Sequence, residues 1–321
     1  MIQKQMRSLR WWVSSCERRS KGISAVDSIV GADMNRRGFL AGVGLGSGAL
    51  LSLPAIGESA MFDRKSWQPD GLGYRARIGL LTPNDDAVPE SEFWTMTPEG
   101  VSVHVSRVLL VDTRTFGDPP HPDDATALLA ALPMQAIVFT FTTTSYVLGP
   151  DGEQALKARL EKRSNGIPVL FVGPAAVAAF RALNVRRIAL IHPPWFTDDE
   201  QQLGVAYFRN QGFDVVYANQ MRLRGFAVAK PTDPLRKFTE VYPAEIYAFA
   251  RTEVPAAAEA VFFGGNGFRA IGAIAALEED LGRPVLTGNQ VAFWYALRQA
   301  GVHQPVNGYG RVFRTLNSDG G

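Results

Sequence analysis

Six short apolar runs stand out along the chain, at residues 77–81, 136–141, 168–172, 187–191, 260–263 and 284–286. Each is almost continuously aliphatic or aromatic rather than alternating, the pattern of a strand buried on both faces of a parallel sheet. Between and after them lie segments with helical spacing, at 151–163, 175–183, 198–211, 243–251, 270–281 and 291–300. Strand-helix alternation of this kind predicts α/β layers. The runs also repeat. Arg77-Ile-Gly-Leu-Leu-Thr-Pro parallels Arg187-Ile-Ala-Leu-Ile-His-Pro. Ala136-Ile-Val-Phe parallels Ala260-Val-Phe-Phe, and Gly166-Ile-Pro-Val-Leu parallels Gly282-Arg-Pro-Val-Leu. Three strands recurring in one order predict two pseudo-symmetric Rossmann-like lobes, each with a parallel sheet, facing each other across a cleft. The expected division is lobe 1 at 75–186, completed by 288–316, and lobe 2 at 187–287. Ligands of open α/β sheets bind beyond the carboxyl ends of the strands, so the cleft is the expected site.

The chain has 321 residues, 46 % of them apolar, enough for a substantial core. Its net charge of +2 is uneven: the first 60 residues carry +4, leaving −2 for the rest. That balance gives no reason to expect nucleic acid or an anionic membrane surface as a partner. Asn35-Arg36-Arg37-Gly38-Phe39-Leu40 opens a weakly apolar stretch of about 15 residues, too short for a stable span and suited to a signal h-region. The arginine pair looks like a twin-arginine signal, with cleavage near Ala60. Residues 1–33, ahead of Met34, read as an upstream extension, so 1–60 form extension plus signal and 61–74 a linker. The expected address is periplasmic or secreted, with the twin-arginine export machinery as a partner and no stable membrane span in the mature chain. The single cysteine, Cys16, lies in the extension, and His104, His121, His192 and His303 lack ligand spacing. Neither a disulfide nor a metal site is expected, and no motif calls for a cofactor.

Four strand ends would line the cleft. The first carries Pro83 and Asn84, followed by Asp85 and Asp86, which read as solvated. The second is Thr140 to Tyr146. Its hydroxyls (Thr142, Thr143, Ser145) and turn amides suit a carboxylate or a developing enolate oxygen, though threonine is also an ordinary strand and cap residue. The third holds His192, Trp195 and Asp198, the last read as a helix N-cap. The fourth, Gly264-Gly265-Asn266-Gly267, lets backbone approach a ligand or makes a plain tight turn. Tyr146 and His192 are the candidate proton donors.

Together these loops resemble the branch of the aspartate/glutamate racemase superfamily that holds maleate cis-trans isomerase and arylmalonate decarboxylase. The likeness runs from about Ile78 to Phe313. It is carried by Leu81-Thr82-Pro83-Asn84 through Val88-Pro89-Glu90, by Phe141-Thr142-Thr143-Thr144-Ser145-Tyr146-Val147-Leu148-Gly149, by the spacing from Gly265 to Pro284, by Ala292-Phe293-Trp294 and by Asn307-Gly308-Tyr309-Gly310-Arg311-Val312-Phe313. The resemblance implies a small carboxylate or dicarboxylate ligand, cofactor-independent chemistry and a cysteine after one or both lobe strands. Phe141 and Gly265 stand at those positions, and neither can donate a proton or act as a nucleophile. Thiol-based racemisation and isomerisation are thereby excluded. Two readings stay open: a lyase or isomerase-like enzyme, decarboxylating without cysteine through an enediolate within an apolar wall of Phe141, Trp195, Phe268 and Phe293, or a non-catalytic periplasmic carboxylate-binding protein.

Overall fold

The computed structural model describes residues 73–221, 241–304 and 306–317. Residues 1–60, expected as extension and signal, and most of the expected linker at 61–74 lie outside the described residues. Two sheets of four strands, both entirely parallel, carry the architecture. In the first, β1 (Ala76–Pro83), β2 (Val101–Val108), β3 (Ala136–Phe139) and β4 (Val169–Phe171) lie in the order β2-β1-β3-β4. In the second, β5 (Arg187–His192), β6 (Asp214–Gln220), β7 (Ala260–Phe263) and β8 (Val285–Thr287) lie in the order β6-β5-β7-β8. The two orders are the same, and the two central pairings match in register, Ile78 opposite Ala136 and Ile188 opposite Ala260. The expected two-lobed α/β fold is the one observed.

The helices are α1 (Val88–Met96), α2 (His121–Leu129), α3 (Thr142–Arg163), α4 (Val172–Ala182), α5 (Asp198–Asn210), α6 (Pro243–Glu253), α7 (Ile274–Leu281) and α8 (Gly288–Gln299). Short 3-10 turns cover Ile271–Ala273 and Arg311–Asn317. Two helices tie the lobes together. After β4, α4 sends Phe180 against Phe208, Phe213 and Phe262 of the second lobe. After β8, α8 packs on α1, β3, β4 and α4, with the rings of Phe293 and Phe93 5.0 Å apart. Among the described residues no helix is long and apolar enough to cross a membrane.

Two local expectations are corrected. Asp198 is the first residue of α5 rather than its cap. Thr197 caps, its hydroxyl accepting from Glu200 N at 3.2 Å while the Glu200 carboxylate accepts from Thr197 N at 2.8 Å. This reciprocal pair satisfies two end donors at once, which a lone aspartate cannot do. Asp86 is buried, not solvated: its Oδ1 accepts from Val88 N at 3.0 Å and fixes the entry to α1. Asp85 is half-buried, with Oδ1 shielded from water and unbonded.

Candidate functional site

The carboxyl ends of β3 and β7 face each other, and the polar residues of both loops meet there. Phe141 has extended backbone and offers α3 no side-chain cap, so the first turn of α3 needs acceptors from elsewhere. Asn266, from the opposite lobe, supplies one. Thr142 N and Thr142 Oγ1 both donate to Asn266 Oδ1, at 2.8 and 2.7 Å. Thr143 is 3 % exposed, and its hydroxyl and N–H have no partner among the described residues. An uncompensated N–H and hydroxyl at a helix N-terminus are a donor pair suited to an anion.

Behind Asn266 runs a directed polar chain. Asn266 Nδ2 donates to Asn289 Oδ1 at 2.7 Å, and Asn289 Nδ2 donates to Asn266 O at 2.8 Å and to Glu92 Oε2 at 2.7 Å. Glu92 Oε1 accepts from Ile271 N at 3.4 Å. Burial pushes the Glu92 carboxyl up to about 8, against the pull of the Asn289 and Ile271 donors. Asp86 adds to the rise and Arg269 opposes it. Glu92, Asn289 and Gln201 escape the sequence reading. The signal for Glu92 was present, since an acid between Val88 and Met96 sits on the buried stripe of α1.

Tyr146, one turn beyond Thr142, is 4 % exposed, and His192, at the end of β5, is fully buried. Their rings meet edge to face, with Tyr146 Oη 3.2 Å from His192 Nε2. His192 Nδ1 lies 2.6 Å from Gln201 Oε1. A carboxamide oxygen only accepts, so Nδ1 carries the proton, Nε2 accepts, and the Tyr146 hydroxyl donates. Burial pulls His192 down to about 4, partly offset by Gln201, and pushes Tyr146 well above its ordinary value. His192 is therefore neutral at pH 7, an acceptor rather than an acid. The pair lies directly behind Gly264, where an added Cβ would fall 2.7 Å from His192 Nε2 and 2.9 Å from Tyr146 Oη.

The remaining candidates are dispersed. Ser145 Oγ accepts from Gly173 N at 3.1 Å. Pro83 is buried. Asn84 is exposed, its Oδ1 accepting from Leu110 N at 2.8 Å, which ties the loop to the end of β2. Phe141 packs on Phe116 with ring centroids 4.4 Å apart, and Phe293 packs on Phe93. Of the four aromatics expected in one wall, Trp195 and Phe268 meet, edge to face at 6.2 Å. Gly267 is buried beside Asn266. Gly265 has φ +103, and a Cβ there would lie 3.0 Å from Pro193. Among the described residues no group of three or more His, Cys, Asp or Glu is placed to hold a metal.

The model of the arylmalonate decarboxylase family matches residues 122–313. The chain belongs to the arylmalonate decarboxylase family. It is 25 % identical to arylmalonate decarboxylase of Bordetella bronchiseptica over 173 residues, spanning 54 % of this chain and 68 % of that protein. Among solved structures, a cysteine-to-alanine variant of maleate isomerase Iso from Pseudomonas putida S16 with maleate superposes with a TM-score of 0.65 at 17 % identity, covering 74 % of this chain and 97 % of its own. Maleate cis-trans isomerase from Nocardia farcinica bound to TRIS gives 0.64 at 20 % identity, covering 76 % and 98 %. These likenesses establish the shared two-lobed fold.

Proposed function

We propose that this protein binds a small carboxylic acid between its lobes and decarboxylates it without a thiol. The observation that carries the reading is the first turn of α3, where the N–H and hydroxyl of buried Thr143 stand unpaired at the end of β3, one turn before Tyr146. These two donors hold the retained carboxylate. The bond from the α-carbon to the second carboxylate breaks, carbon dioxide leaves, and the electron pair passes into the retained carboxylate as an enediolate whose charge the Thr143 donors stabilise. The Tyr146 hydroxyl then gives its proton to the α-carbon. For this step the hydroxyl proton turns from Nε2 of neutral His192, which otherwise accepts it, toward the α-carbon, and the Tyr146 phenolate left behind takes its proton from water. The matching family supports this chemistry, and the family cysteine positions, Phe141 and Gly265, supply no thiol. The arginine pair at 36–37 supports export as the setting.

A second reading is non-catalytic capture of an acid. The burial of Tyr146 and its engagement with His192 favour it. Proton NMR in D₂O with maleate, arylmalonates and α-aryl acids separates the two. Product formation that disappears in Tyr146→Phe supports decarboxylation. Silence, with thermal stabilisation by one acid, supports capture. In either case Thr143→Val weakens acid binding by about 1–3 kcal/mol, the worth of a charge-assisted hydrogen bond. Unchanged affinity removes the anion site.

A further inference from the structure

The carboxylate reading leaves open how many carboxylates the site holds, and the polar chain behind Asn266 bears on that number. A bound carboxylate on the first turn of α3 has two natural partner sets, one at Thr142 and one at Thr143. The Thr142 set is occupied from within. Its N–H and hydroxyl both end on the Asn266 carboxamide oxygen, 2.8 and 2.7 Å away, across 124 residues of sequence and from the opposite lobe. The orientation of that carboxamide is fixed rather than arbitrary. Thr142 N can only donate, so the atom facing it is the oxygen. The nitrogen of Asn266 then faces Asn289 Oδ1. Asn289 in turn donates to the Asn266 carbonyl and to Glu92, and both of these accept. Every member from Thr142 to Glu92 is buried. The neutral carboxamide therefore stands where a ligand oxygen would stand, on a fixed support.

We infer that Asn266 is the specificity-determining residue of the cleft, and that it limits the donor set to a single carboxylate, supplied through Thr143. This inference rests on the carboxylate reading given above. A monocarboxylate then finds its full complement of donors. A dicarboxylate places its second carboxylate where no donor answers it and pays for its desolvation, which is also the condition under which that group departs most readily.

The test compares matched acids differing by one carboxylate, isocrotonate against maleate, by titration calorimetry on the purified full chain. The wild type is expected to bind isocrotonate at least as tightly as maleate. Asn266→Ala, which releases Thr142 N–H and hydroxyl, is expected to tighten maleate at least tenfold relative to isocrotonate. Asn266→Ser, too short to reach Thr142, should behave likewise and serves if the alanine variant folds poorly. Maleate bound tenfold tighter than isocrotonate by the wild type overturns the inference without any variant. So does a folded Asn266→Ala or Asn266→Ser protein whose maleate preference is unchanged. These results leave the carboxylate site standing, provided Thr143→Val weakens both acids. Absence of binding by either acid to any of the proteins overturns the inference together with the carboxylate reading.

Discussion

Single residues decide which chemistry this cleft can support. Gly265 stands where the sequence resemblance implies a cysteine, and its backbone suits a cysteine no better than its side chain replaces one. Its φ of +103 lies where residues with a Cβ are strained, and Pro193 stands 3.0 Å from where that Cβ would sit. Gly265→Cys is accordingly expected to destabilise the fold by roughly 1–3 kcal/mol without restoring thiol chemistry. A thermal melt and a thiol-reactivity assay check this, and a variant as stable as the wild type with a readily alkylated thiol would contradict it. What the sequence discloses at this scale is residue type, and what it conceals is partnership. Thr142 and Thr143 look equivalent in the string, yet one is engaged by Asn266 and the other is open. That difference depends on a residue 124 positions away.

At the scale of elements, the apolar runs were legible as the central strands because burial on both faces removes the polar alternation that edge strands retain. β2 and β6 were not legible for the same reason. β2 reads Val-Ser-Val-His-Val-Ser-Arg-Val, and β6 exposes Asp214 at the sheet edge. The start of α3 was hidden by hydroxyl residues that are poor helix formers and by Gly149, whose φ of 63 breaks the helix before Asp151. Two fully buried groups seated on elements contribute strongly to stability against pH. The Glu92 carboxyl on α1 rises from 4.5 to about 8 on folding, so the folded state binds its proton more tightly, and stability declines as pH rises from 4.5 to 8. His192 on β5 falls from 6.5 to about 4, so stability declines as pH drops from 6.5 to 4. The slopes oppose each other between pH 4.5 and 6.5, and Glu92 acts without His192 above that. Stability should therefore fall by roughly 2 kcal/mol between pH 6.5 and 8. Glu92→Gln should flatten that limb in urea titrations, and an unaltered slope would show that Glu92 is not its source.

Across the whole molecule, the two lobes are interlocked. α4 leaves the first sheet to cover Phe262 of the second, and α8 leaves the second to cover the first. The expected division already gave 288–316, and so α8, to the first lobe; the crossing of α4 in the other direction was not foretold, because packing partners are not written in periodicity. A consequence is that damage to α8 is felt in both halves. Phe293→Ala should cost about 3–5 kcal/mol through the cavity it leaves against Phe93 and Phe313. Unfolding should remain a single transition, seen alike by near-ultraviolet dichroism and by hydrogen exchange in both sheets. Separate transitions for the two sheets would show that the exchange does not couple them.

The polar chain at the cleft also bears on how the protein ages. Asn266 is followed by Gly267, and Asn307 by Gly308, two of the three Asn-Gly dipeptides of the chain, in which the next backbone nitrogen can attack the side-chain amide and expel ammonia. Asn307 is exposed, while Asn266 is buried and held through both ends of its carboxamide. The attack requires that carboxamide to leave its hydrogen bonds to Thr142 and Asn289. The slow conversion of Asn266 to aspartate, measured against Asn307 in the same stored sample, thus becomes a built-in record of how firmly that polar chain is held.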